Sequence, residues 1–303
     1  MSTKTISRDL LKNTGITESQ SASLPITRDL TLAYALSFAI ALLVAVAAVG
    51  GLLFRNSVYP TEDLILSFLP VDVFHLSVGL PILLGSMWLA RRGKLTGLLC
   101  WPGALLYVLY SYVTNLIGVP FGVLFLPYLL LVTLSAYTTI ALVASIDGEA
   151  VRQRLIGGVP VRSAGVVLVV LTSLFIVNAV AEIVTALASQ RPVGALDLML
   201  WIADLTTIAP ACLVGGILLL QRKVLGYVGG TGLLLAYSML FIGLLPVMVF
   251  PAFYNASPID GAGIVLMLVA GLICLILLAR FVRGATSEHP SEPGSILEGD
   301  LRL

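Results

Sequence analysis

Eight separate runs of about 20 apolar residues each punctuate this chain, and each is long enough to cross the roughly 30 Å hydrocarbon core of a bilayer as a helix. The runs fall at 32–54, 71–90, 95–115, 119–146, 163–187, 198–220, 224–250 and 261–279. They are continuous rather than alternating, which favours helices over strands. Lipid offers the backbone no hydrogen-bond partner, so a spanning segment must satisfy its own amides. Composition agrees: 58% of the 303 residues are hydrophobic and 11% are charged, against about 25% charged in a soluble domain. With 17 basic and 16 acidic residues there is no net basic field for nucleic acid, and so apolar a chain is not a disordered one. The expected fold is all-α, a polytopic transmembrane helix bundle of eight spans embedded in the lipid bilayer.

The basic residues set the expected orientation. Of 17 Lys and Arg, 15 lie in the N-terminal arm, the even-numbered connections and the C-terminal end, whereas the other side carries only Arg55 and Arg191. Such a bias puts both termini in the cytoplasm and the chain in the plasma membrane. It also requires an even number of spans. The first apolar run exceeds 20 residues and follows a polar arm with Asp9, Glu18 and Asp29, so retention as a span is expected rather than cleavage as a signal peptide. The arm, 1–31, and the tail, 284–303, are expected to be mobile cytoplasmic ends. His289 lies in that tail. Asn255-Ala256-Ser257 matches a glycosylation acceptor, but three letters followed by Pro258 carry no weight.

A weak internal repeat is present. Sliding 80–106 onto 209–235, an offset of 129, gives 8 identities in 27 positions without a gap. Four are leucine. The others pair Pro81 with Pro210, Lys94 with Lys223, Gly97 with Gly226 and Gly103 with Gly232. At this offset the first four spans fall on the last four, so the halves share one orientation, as in parallel-repeat transporters. The expected organisation is therefore a polar arm (1–31), repeat one (32–146), a cytoplasmic loop (147–162), repeat two (163–283) and a tail (284–303). Small residues, Ala41 and Ala45, Gly215 and Gly216, and Gly226 to Gly232, suit close helix packing. Pro81, Pro127 and Pro210 are candidate kinks.

Ionisable side chains within spans are costly, about 2.5–3.5 kcal/mol at mid-helix on insertion scales, so each needs a reason. Asp72 and His75 stand one turn apart on one helix face, near enough in sequence to pair. Glu182 lies near the outer end of the fifth span with Asn178 a turn deeper. Asp197, Trp201 and Asp204 follow one stripe of the sixth. All are expected near the outer ends of their helices, and the repeat offset sets His75 on Asp204. His75, Asp204, Glu182 and Asp72 are thus the candidate ligand or ion site, able in principle to hold a divalent cation or relay a proton. Interfacial solvation of residues near helix ends is the plain alternative. Thr61, Glu62 and Asp63 suit the start of a short helix lying in the interface over 55–70. Tyr107, Tyr110 and Tyr112, with Trp201, Phe253 and Tyr254, suit an outer aromatic belt, and Trp88 and Trp101 an inner one.

Other chemistries are excluded. Cys100, Cys212 and Cys274 have neither disulfide nor zinc spacing. There is no phosphate-binding loop and no second histidine in the bundle for bis-histidine haem, and no cofactor is predicted.

The segments Asp204-Leu205, Pro210, Gly215-Gly216, Arg222-Lys223 and Gly226-Tyr227, with Trp88-Leu89-Ala90-Arg91-Arg92, Trp101-Pro102-Gly103 and Tyr107-Val108-Leu109-Tyr110, resemble a family of uncharacterised multi-pass prokaryotic integral membrane proteins. The resemblance covers roughly 71–146 and 197–240. It implies a multi-helix membrane protein with no assigned activity and transfers no functional residue. The expected function is that of a small-solute or ion transporter, with an outward-facing metal-binding protein or enzyme, or a non-catalytic subunit or scaffold, as the alternatives; partner proteins and oligomeric state are left open.

Overall fold

The computed structural model describes residues 24–286, so His289 and most of the polar arm and tail lie outside the described residues. Among these residues eight helices are long and apolar enough to cross a membrane: Thr31–Leu53, Glu62–Arg91, Leu95–Gly118, Phe125–Ala144, Val161–Ala188, Ala195–Leu220, Val224–Asn255 and Gly261–Thr286. They are numbered here as the first to the eighth span. The chain is a multi-pass helical membrane protein.

The third and seventh spans pack against each other at the centre. The second crosses to the seventh and the sixth to the third, while the first and fourth cover one side and the fifth and eighth the other. Enclosure follows this order. An 18-residue stretch of the third span is 72% buried, against 28% for the fourth, fifth and eighth. Trp101, with its indole nitrogen donating to Ser37 Oγ at 3.0 Å, and Tyr112 are fully buried. The aromatic side chains of the third span therefore face protein, not the membrane interface. Trp88, in contrast, is exposed beside the Arg92 guanidinium at 3.7 Å, and Phe253 and Tyr254 are exposed as an interfacial belt requires.

The second span begins nine residues earlier than its apolar run suggests. Thr61 caps it by accepting a hydrogen bond from Leu64 N at 3.4 Å, and Glu62 and Asp63 occupy its positive N-terminal turn. The segment expected to lie in the interface instead continues as helix. Pro70 does not stop it, because Leu64, Ile65 and Phe68 are already buried against the bundle and hold the turn. Asp72 and His75 consequently stand deep in the helix, His75 about 20 Å from its first residue at the usual rise. Pro127 moves the opposite way. It falls in the first turn of the fourth span, where a missing amide costs nothing, and makes no kink.

Pro81 and Pro210 each follow a single π-turn, His75–Gly79 and Asp204–Ile208. The wider turn absorbs the amide that proline lacks: Leu80 N donates to His75 O, and Ala209 N to Asp204 O. Such bulges recur at functional sites in helices. The two are 129 residues apart.

Other contacts recur at the same spacing. The second and third spans join through a Schellman turn, with Lys94 N on Leu89 O at 3.0 Å and Gly93 at φ 75°; the sixth and seventh do so with Lys223 N on Leu218 O at 2.9 Å and Arg222 at φ 56°. A Cβ on Gly97 would collide with the backbone of Ala90, and one on Gly226 with that of Leu219. At the central crossing Gly103 lies on Gly232, backbone to backbone.

The described end of the polar arm, from residue 24 on, is held in place. Thr27 N donates to Ser145 O and Asp147 N to Pro25 O, each at 2.9 Å, tying residues just before the first span to the end of the fourth. Asp147 then caps a short helix, Gly148–Leu155, whose Val151 and Leu155 are buried.

Candidate functional site

The acidic and imidazole side chains of the second and sixth spans stand in two clusters, one at each π-turn. In the first, Asp72 is 1% exposed and accepts a hydrogen bond from Tyr59 OH at 2.7 Å. Tyr59 comes from the connection between the first two spans, and burial raises its phenol above the usual tyrosine range, helped by the Asp72 charge. Gly51 makes the room: a Cβ there would overlap both the Asp72 carboxylate and the Tyr59 hydroxyl. One turn on, His75 is fully buried, stacked on Tyr112 with centroids 5.2 Å apart and edge-on to Tyr107 at 5.7 Å. Neither ring nitrogen meets a hydrogen-bond partner among the described residues. The expected pairing of Asp72 with His75 is therefore not made. Tyr59 takes the carboxylate, and the imidazole is held by ring contacts alone.

The second cluster is open. Asp204 accepts a hydrogen bond from Tyr110 OH at 2.8 Å and lines a cavity of about 320 Å³ between the second, third, sixth and seventh spans, with Phe175 of the fifth and Met267 of the eighth completing the wall. Its wall is largely apolar and aromatic, including Tyr107, Tyr237, Phe175 and Phe241, with Ser111 and Thr114 as neutral polar groups. Tyr237 is held by a 2.7 Å hydrogen bond with Thr172, and its ring meets Phe241 edge-on at 5.2 Å. The volume sits at the lower end of the roughly 300–1,000 Å³ usual for small-molecule sites.

Of the four expected residues, the three carboxylates share no partner. Asp72 has Tyr59, Asp204 has Tyr110, and Glu182 accepts from Asn178 Nδ2 at 3.0 Å and Trp201 Nε1 at 3.1 Å on an exposed face of the fifth span. His75 and Asp204 share no hydrogen bond. Tyr107 lies between their environments, touching the His75 ring and lining the Asp204 cavity. Among the described residues no group of three or more His, Cys, Asp or Glu side chains is placed to hold a metal ion.

Tyr59, Tyr110 and Gly51 were not legible as site residues. Tyr59 sits in a connection and Gly51 is one small residue among many. Tyr110 carried a signal, however: in so enclosed a helix a phenol needs an acceptor, and Asp204 is the nearest unclaimed one by depth.

No family model, curated protein or solved structure matches this chain. The family resemblance noted in its sequence is therefore not supported, and what stands is the class: a multi-pass helical membrane protein.

Proposed function

We propose that the protein is a small-solute permease of the plasma membrane, built from two parallel four-helix repeats (32–146 and 163–283) with both termini cytoplasmic, and that the Asp204 cavity is its solute site. The observation that carries this reading is the cavity itself, a carboxylate-bearing hollow at the meeting of the two halves. Coupled transporters place an ionisable group within the span where the repeats meet. Three geometric features support the repeat. Both π-turns, both Schellman turns and the glycine contacts recur 129 residues apart, and Gly103 touches Gly232, its own counterpart. A residue that meets its counterpart lies on the axis relating the halves. Two glycines there let the backbones of the third and seventh spans approach closely on that axis. The 15 basic residues on one side support the orientation.

Labelling tests the reading. In a chain with Cys100, Cys212 and Cys274 changed to Ala, Ser111→Cys should react with a membrane-impermeant maleimide both in intact cells and in inverted vesicles. A permease exposes its site to each side in turn. Reaction from one side only, or from neither, overturns the proposal in favour of a static membrane subunit.

A further inference from the structure

We infer that the Asp204 cavity takes a small amphiphilic organic cation, an alkyl- or arylammonium ion. This deepens the permease reading and rests on it for the consequence of binding, not for binding itself.

Charge comes first. Asp204 brings a carboxylate to the cavity and forms no ion pair among the described residues. Its Oδ1 accepts from Tyr110, and Oδ2 accepts nothing among those residues. A neutral hydroxyl compensates a carboxylate only in part, since one hydrogen bond returns less than the carboxylate loses on leaving water. A ligand cation supplies the missing charge. The wall then selects among cations. Rings of Tyr107, Tyr110, Tyr237, Phe175 and Phe241 surround the site, and aromatic faces attract cations within about 6 Å of the ring centroid. A small hydrated metal ion finds one carboxylate in the cavity lining and, among the described residues, no group of three acid, imidazole or thiol ligands. An ammonium ion bearing apolar groups matches both parts of the wall, charge to Asp204 and hydrocarbon to the rings.

His75 gives the comparison. It occupies the counterpart π-turn, also beside tyrosine rings, yet it is sealed and lines no part of this cavity. Of the two π-turns, only the one at Asp204 therefore offers a charge to a ligand in this cavity.

The test is equilibrium binding of radiolabelled benzyltrimethylammonium to the full chain in lipid nanodiscs, with phenylacetate as the anion of similar size. The cation should bind saturably and the anion should not. Asp204→Asn should weaken binding at least tenfold, and Glu182→Gln, on another face, should leave it unchanged. Phe175→Leu keeps an apolar side chain, removes an exposed ring and keeps the idea testable if Asp204→Asn does not fold; it should weaken binding by about two- to fivefold, the range of an exposed cation–π contact. Absence of saturable binding, equal binding by Asp204→Asn, or preference for phenylacetate overturns the inference. The same label in proteoliposomes separates the two proposals: binding that depends on Asp204 with uptake no faster than in protein-free vesicles sustains the ligand class and removes the permease.

Discussion

The π-turns at His75–Gly79 and Asp204–Ile208 share a fold and differ in fate. Each precedes a proline and starts with an ionisable residue. Around His75 the space is full: Tyr112 stacks on it, Tyr107 abuts it, and Tyr59 crosses from the preceding connection to hold Asp72. Around Asp204 the corresponding space is a cavity with Tyr110 at one wall. The first π-turn is packed shut and the second opens on a cavity. The same backbone device occurs at both places, and the neighbouring side chains decide whether it is filled or left accessible.

Three measurements would break or sharpen this comparison. The largest effect is expected at the shared centre. Gly103→Ala drives a Cβ into the Gly232 carbonyl, whereas Gly232→Ala meets Gly103 N at 3.0 Å and Leu99 O at 3.1 Å. Overpacking typically costs about 1–3 kcal/mol, and Gly103→Ala should lie at the top of that range, lowering the unfolding temperature in detergent more than Gly232→Ala does. Unchanged unfolding in both would remove the tight central crossing. Next comes the sealed site. Tyr59→Phe leaves the Asp72 carboxylate buried without its donor and should cost about 1.5–3 kcal/mol. Tyr110→Phe should cost clearly less, because Asp204 faces the cavity and can be solvated. Equal losses would mean that the two carboxylates are equally enclosed. The smallest effect is at the hairpins. Arg222 holds a left-handed conformation that costs a side-chain-bearing residue about 1–2 kcal/mol, and Gly93 holds its counterpart without that cost. Arg222→Gly should stabilise by up to about 1 kcal/mol and Gly93→Ala should destabilise by a similar amount. A loss of stability in Arg222→Gly would show that the arginine side chain contributes more than its backbone strain.

Much of this was legible from the chain. Eight apolar runs mark eight helices because a helix in lipid needs little except length and apolar side chains. Thr61 as a cap, with Glu62 and Asp63 after it, was equally legible, since capping acts within one turn. The errors have one physical source, which is that periodicity does not report what lies against a helix. Tyr107, Tyr110, Tyr112 and Trp101 looked like interfacial aromatics, but the third span is walled on several sides, so Tyr107, Tyr112 and Trp101 are core and the half-buried Tyr110 bonds Asp204 at the cavity. Asp72 and His75 looked like residues of a helix end, but the apolar turn at Leu64, Ile65 and Phe68 packed and lengthened the helix.

By itself, then, the amino-acid sequence determined the solvent, the helix count, the charge bias and the 129-residue spacing, because these depend on local composition and chain order. Only the tertiary structure decided which buried acid is sealed and which is accessible. That choice depends on side chains brought from distant elements, Tyr59 to Asp72 and Tyr110 to Asp204, and on whether the space between them closes.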